Sequence, residues 1–346
     1  MSANDAFDFF VQLHLTERCN LRCKHCYQTG RNVDEMSLLE VKEAVEEISG
    51  ALEAWRNTYG VDFSPSFNVT GGEPFLRSDL YEILSEIGTR GFDTYLLTNG
   101  ILIDERKAGE LSRLAVKGVQ VSIEGPEKIH ESIRGKGSFS GSLRGVRNLL
   151  NAGLVVTLNV TLSSLNAGHF TDIIELASTL GVQKLGFSRL VPSGRGGAML
   201  DTMLKADTVR ELYERIPSLD TEGLRIVTGD PIASQSGLEA IADKGDIAVG
   251  GCSAGVSGLT ILPDGTIVPC RRLYIPIGNI RRDSFRQIWS GSPVLEALRD
   301  RSGYRGKCGV CKRWANCRGC RAIAYAFSQA KGENDFLAED PQCFIE

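Results

Sequence analysis

No stretch of this chain approaches the ~18 consecutive apolar residues that a membrane-spanning helix requires, so no segment reads as transmembrane. A secretory signal is also missing. The eight residues before the first strand-like run, MSANDAFD, are acidic and polar, without a basic head or an apolar core. There is no internal repeat and no low-complexity tract. Net charge is small: 39 Lys and Arg against 43 Asp and Glu leave −4, which argues against a general nucleic-acid binder. These absences predict a cytoplasmic protein with no membrane and no nucleic-acid partner, in a compartment where structural disulfides are rare.

What is present is a chain of 346 residues, 42% hydrophobic and 24% charged, with 38 glycines and 10 cysteines. That length allows two domains, or one large domain with an appendage. It can bury a sizeable core, which excludes collagenous, disordered and disulfide-stapled classes. The core does not need the ten cysteines, and clustered cysteines in this compartment more often hold metal. Charge is also uneven. Between Cys270 and Lys331 there are 14 Lys and Arg but 3 Asp and Glu, a local excess of +11, so the remainder carries −15.

Apolar, β-branched runs at 9–15, 66–70, 93–98, 118–123, 154–161 and 184–189 alternate with helical patterns at 78–90, 104–116, 140–152 and 167–180. Ahead of these, Ser37 and Glu40 form a capping box. Leu38, Val41, Val45, Ile48, Leu52 and Trp55 then recur at spacings of three and four, the core face of a helix. Six β-α repeats with apolar strands predict an α/β fold with a parallel sheet covered by helices. Active sites of such sheets lie at the carboxyl ends of the strands. From Gly251 the texture changes to a hairpin signal at 262–266, a short helix near 283–299 and a cysteine-rich tail. The expected boundaries are 1–215, a connecting segment 216–250, and 251–346.

Just after the first strand stand Cys19, Cys23 and Cys26, spaced C-x3-C-x2-C. Three thiolates can hold three irons of a [4Fe–4S] cube and leave the fourth iron open, as a reactive site requires. A zinc site is the alternative, with His14 or His25 as a fourth ligand. The second strand leads into Gly71-Gly72-Glu73-Pro74. Together these motifs resemble the radical S-adenosylmethionine (SAM) enzymes, with their cysteine signature and GGEP turn. Thr98-Asn99-Gly100, Val121-Ser122-Ile123-Glu124-Gly125 and Arg134-Gly135-Lys136-Gly137-Ser138-Phe139 resemble further family motifs, with Glu124 where the family more often has Asp.

The resemblance implies a partial (β/α)6 TIM-type barrel whose GGEP residues receive the methionyl ammonium of SAM. There the two glycines would let the backbone approach the ligand. Ser122, Arg134, Tyr27, Asn159 and Leu190 are further cofactor-binding candidates, with Thr161, Arg189 and His25 beside them. Glu124, Asp230 and Tyr27 are the acid/base candidates.

Seven cysteines remain. Cys252 and Cys270 bracket the hairpin, Cys308, Cys311, Cys317 and Cys320 follow as C-x2-C-x5-C-x2-C, and Cys343 closes the set. A zinc knuckle at 308–320 would use the paired C-x2-C, but would leave Cys252, Cys270 and Cys343 without a task. The pattern resembles the SPASM extension, which carries two auxiliary [4Fe–4S] clusters. By that resemblance Cys252, Cys270 and Cys320 hold the cluster nearer the barrel, and Cys308, Cys311, Cys317 and Cys343 the outer one. The family usually has C-x3-C where Cys317 and Cys320 are C-x2-C. The +11 excess independently suits the burial of anionic clusters.

The resemblance thus implies an oxidoreductase with three [4Fe–4S] clusters. It would cleave SAM reductively to a 5′-deoxyadenosyl radical and abstract hydrogen from a peptide substrate, leading to oxidative modification or thioether or C–C cross-linking of a ribosomally made peptide. A flavodoxin- or ferredoxin-type donor would supply electrons. With eight residues before the first strand, a separate protein would bind any peptide leader. The alternatives are side-chain oxidation resembling anaerobic sulfatase maturases, a small-molecule enzyme resembling haem-biosynthetic SPASM proteins, and a non-enzymatic iron–sulfur carrier or zinc scaffold.

Overall fold

A computed structural model describes residues 6–219, 221, 223–233, 247–248 and 250–345. Six parallel strands match the expected runs: β1 Phe7–His14, β2 Phe63–Thr70, β3 Asp93–Thr98, β4 Gly118–Ser122, β5 Val156–Leu162 and β6 Lys184–Arg189. Helices intervene as α1 Leu38–Tyr59, α2 Leu80–Thr89, α3 Glu105–Arg113, α4 Glu127–Arg134, α5 Ser138–Asn151, α6 Phe170–Leu180 and α7 Ala206–Arg215. Helix α1 begins with the Ser37/Glu40 capping box and buries Val41, Val45, Ile48 and Leu52. Each such aliphatic side chain contributes about 1.5–3 kcal/mol when fully buried. Among the described residues no helix is long and apolar enough to cross a membrane.

The sheet extends beyond the expected unit on both sides. Strand β7, Arg225–Thr228, pairs in parallel with β6, so the barrel's sheet runs past residue 215 into the stretch read as a connector. Its four residues, Arg225-Ile226-Val227-Thr228, are exposed or half-buried, and the run is too short to stand out from its surroundings. On the opposite side β8, Gly258–Ile261, pairs in parallel with β1, and β8 continues into the antiparallel hairpin strand β9, Thr266–Val268. With β10, Gly278–Asn279, the order is β10-β9-β8-β1-β2-β3-β4-β5-β6-β7. The expected boundary near 240–250 falls largely outside the described residues. The single helix expected near 283–299 is two, α8 Phe285–Gly291 and α9 Pro293–Arg299, broken where Pro293 starts the second. Helices α10 Gly306–Val310 and α11 Arg321–Ala330 frame the cysteine-rich tail.

A buried ionic cluster fastens that tail to the barrel. Arg189, at the end of β6, donates through Nη2 to Asp230 Oδ1 and Asp340 Oδ2, each at 2.8 Å, and through Nη1 to Gln342 Oε1 at 3.1 Å. Burial opposes the charge on Arg189, but the two carboxylates hold it protonated. Removing one partner from such a group leaves uncompensated charge, at a cost of about 3–5 kcal/mol. Arg189→Met is therefore expected to lower the unfolding free energy by about that amount in urea titrations, with Arg189→Lys recovering part. An unchanged midpoint would show that the tail is not held here.

Candidate active site

Because β1 to β6 are parallel, the loops after them share one edge of the sheet. The loop after β1 carries Cys19, Cys23 and Cys26, and the loop after β2 is stitched onto it. Gly72 N–H donates to Thr16 O at 2.7 Å and Glu73 N–H to Arg18 O at 2.8 Å. A Cβ on Gly72 would sit 2.1 Å from Arg18 O, and one on Gly71, at φ +154°, 2.7 Å from Thr16 O. The two glycines thus let this backbone approach the cysteine loop's own backbone, while both also line the cavity beside the thiols.

The three thiols line a cavity of about 920 Å³, counting its open mouth, with Gly71, Gly72 and Ser122. Tyr27, Arg134, Asn159 and Thr161 also face it. Glu73, Pro74 and Leu190 do not line it. Leu190 is buried, and its N–H bonds Leu162 O at 3.0 Å. The Glu73 carboxylate is fully buried, receiving Thr98 Oγ1 at 2.8 Å, Asn99 N–H at 3.0 Å and Phe75 N–H at 3.3 Å. It ties β2 to β3 beneath the cavity floor. Burial raises its pKa to about 7, against the pull of those three donors.

Glu124 is likewise a tie. It accepts from Arg134 Nε at 2.9 Å and Thr161 N–H at 2.8 Å, with His25 Nε2 at 3.3 Å. Burial opposes its charge, but Arg134 and His25 hold the carboxyl well below the usual range. Arg134 Nη1 in turn lies 3.8 Å from Cys23 Sγ. Of the other acid/base candidates, Asp230 is locked between Arg189 and the Tyr213 hydroxyl at 2.8 Å. Tyr27 is buried enough that its phenol pKa is raised. Asn99, from the turn after β3, reaches Asn20 Oδ1 at 2.8 Å.

The thiols suit a cluster. Burial pushes Cys19 up to about 11 and raises Cys26, so without metal both stay protonated and iron would displace the proton. Polar hydrogens already face the sulfurs, with Leu21 N–H 3.4 Å from Cys19 Sγ. Among the described residues no three Cys, His, Asp or Glu side chains converge as a single bound ion would need.

In the tail, Cys308, Cys311, Cys317 and Cys343 line one hollow. Cys308 Sγ faces Arg321 Nη2 at 3.5 Å, and Cys317 Sγ faces Gly319 N–H at 3.4 Å. Burial, the largest influence, pushes Cys320 up to about 12 against the pull of Arg272, with Cys252 adding to the rise. Part of the basic excess is therefore internal, since Arg318 and Arg321 are both buried. The shortened C-x2-C turns through two consecutive left-handed residues, Arg318 at φ +61° and Gly319 at φ +61°. Side-chain bonds from Arg318 to Ala315 O, at 3.3 Å, and to Cys252 O hold the non-glycine residue there.

Residues 13–177 match the Radical SAM superfamily, and residues 252–321 match SPASM, an iron–sulfur cluster-binding domain. An AdoMet-dependent heme synthase of Oleidesulfovibrio alaskensis is 30% identical over 96% of this chain and 86% of that protein. The chain belongs to the radical SAM superfamily. This radical SAM/SPASM enzyme is also 31% identical to the mycofactocin maturase MftC of Mycobacterium tuberculosis, over 90% of the chain and 78% of MftC. Its fold matches Streptococcus suis SuiB bound to S-adenosylmethionine at a TM-score of 0.74, with 16% identity, 98% of this chain and 78% of SuiB covered. Sequence reasoning considered His14 only as a zinc ligand and passed over Gln28, Arg271 and Arg272, because no motif marks them; only the fold brings them to the site.

Folding raises the Glu73 pKa, so the native chain binds more protons than the unfolded one between 4.5 and about 7. Its contribution to stability is full below 4.5 and falls as pH rises through about 7. In metal-free protein Glu73→Gln should remove that decline, on the order of 3 kcal/mol at about 1.4 kcal/mol per unit. Urea midpoints at pH 5 and pH 8 check this, and parallel shifts in both proteins would refute it.

Proposed function

We propose that Cys19, Cys23 and Cys26 hold a [4Fe–4S] cluster that receives SAM, and that the enzyme abstracts hydrogen from a peptide substrate for oxidative modification or cross-linking. The observation that carries this reading is the placement of all three thiols on one cavity wall, facing the carboxyl ends of β2 to β6. When bound, the cluster and SAM together supply a 5′-deoxyadenosyl radical. The chain's own residues orient and enclose. Gly71 and Gly72 fix the cysteine loop, Glu73 braces the turn beneath it, and Glu124 with Arg134 holds α4 against Cys23. Ser122, Asn159 and Tyr27 line the space left for SAM. Cys252, Cys270 and Cys320 would hold an inner auxiliary cluster, and Cys308, Cys311, Cys317 and Cys343 an outer one. Buried arginines offset their negative charge.

The peptide reading is supported by the likeness to the maturase MftC, and its fold-mate SuiB is seen with its precursor peptide SuiA. A second reading, a small-molecule enzyme of haem-biosynthetic type, is supported by a heme synthase at 30% identity over 96% of the chain. A flavodoxin- or ferredoxin-type protein would donate electrons under either.

Anaerobic reconstitution with iron and sulfide is expected to load about 12 irons per chain, from three four-iron clusters. SAM with a strong reductant should then yield 5′-deoxyadenosine, and Cys19→Ala should abolish it while leaving about 8 irons. Stoichiometric zinc with no SAM cleavage would overturn the assignment. A porphyrin product rather than a modified peptide, read by mass spectrometry, would select the second reading.

A further inference from the structure

Beside the thiol-lined cavity lies a second one, of about 1380 Å³ counting its open side, between the barrel and the C-terminal region. The two share Tyr27, Gln28, Arg271 and Arg272 as walls. The second is bounded on the barrel side by His14 and Glu17, and on the other side by Tyr274 and Tyr325. At the rim Arg31 donates to the Tyr274 hydroxyl at 3.1 Å and stacks over its ring.

This chamber holds several buried polar atoms without partners, most of them donors, with the Glu17 Oε2 acceptor among them. Arg271 uses Nη1 on Gln12 Oε1 at 2.7 Å, and its guanidinium carbon lies 5.8 Å from the Tyr27 ring centroid, but its Nε–H is buried and unpartnered. Gln28 Nε2 is buried and unpartnered as well, in a side chain 8% exposed. Both ring nitrogens of His14, which is 0% exposed, have no partner. Burial and the neighbouring Arg271 charge lower the His14 pKa to about 3, so at neutral pH it offers one N–H. Arg272 Nε is buried and unpartnered as well, while its Nη1 donates to Arg189 O at 3.4 Å. The carboxylate in the wall, Glu17, is drawn to Arg31 and Arg195 rather than to Arg271.

A buried guanidinium with a like-charged neighbour and two orphan donors nearby is costly when empty. A carboxylate would match it, accepting charge-assisted hydrogen bonds from Arg271 and neutral ones from Gln28 and His14. We propose that Arg271, with Gln28 and His14, is the subsite that anchors a carboxylate of the substrate in this second cavity, next to the SAM cavity. This rests on reading the first cavity as the place where SAM is held. The carboxylate has two possible sources, a peptide C-terminus or an acidic side group of a small molecule such as a tetrapyrrole propionate.

The test uses reconstituted full-length protein and two probe pairs. One is N-acetyl-Ala-Leu-Tyr as free acid and as amide. The other is protoporphyrin IX and its dimethyl ester. Isothermal titration should show one acid binding at least about tenfold more tightly than its neutral partner, the size expected of a charge-assisted hydrogen bond, and the pair that discriminates identifies the source. Arg271→Gln should bring that ratio close to one, with Arg271→Lys restoring part, while iron content stays at the wild-type value. No acid preference in either pair, or a preference that survives in Arg271→Gln, would overturn the proposal. So would a loss of SAM affinity in Arg271→Gln with the probe ratio intact, since the guanidinium would then serve SAM. Failure of 5′-deoxyadenosine formation by the wild-type protein would instead count against the reading of the first cavity.

Discussion

Strand β1 is hydrogen-bonded in parallel on both edges, to β2 along its full length and to β8 over Phe10–Leu13. Everything else in the molecule is arranged around that double pairing. One edge of β1 begins the barrel. The other receives the hairpin that Cys252 and Cys270 bracket. The cysteine loop leaves β1 where the two halves meet, so both walls of the neighbouring cavities follow from the register of a single strand. Buried parallel strands must be covered on both faces, and here helices cover one part while the C-terminal region completes the rest.

The residues around the thiols divide between those that face the cavity and those that hold its frame. Glu73 and Glu124 are carboxylates in family motifs, yet both are buried and fully engaged with neighbouring donors. One ties β2 to the turn after β3, and the other ties β4 to β5 and α4. The same division applies to the basic excess of the C-terminal region. Arg318 and Arg321 are buried among thiols, whereas Arg282 and Arg305 are largely exposed. A single charge count therefore mixed solvated side chains with those placed against prospective anions.

Much of the barrel was legible because parallel strands are buried on both faces and read as short apolar runs between amphipathic helices. Six strands and the α1 stripe, including its capping box, lie where periodicity put them. Strand β7 was not legible, since a run of four residues with only Ile226 and Val227 half-buried is too short to register as a strand. The pairing of β8 with β1 was equally hidden, because partners some 250 positions apart leave no local mark.

The sequence by itself determined which residue types are available for chemistry and which loops carry them. Spacing groups Cys19, Cys23 and Cys26 on one short loop, and Gly71-Gly72-Glu73-Pro74 on the next, since both are local properties of a strand end. Only the tertiary structure shows the glycines packed backbone against backbone at the cavity and the Glu73 carboxylate buried against Thr98 and Asn99. It alone brought Arg271 beside His14 and Gln28, because that contact depends on the sheet joining residues far apart in the chain. Local chemistry is written in neighbouring residues, whereas a cavity wall is assembled from strands whose partners the sequence does not name.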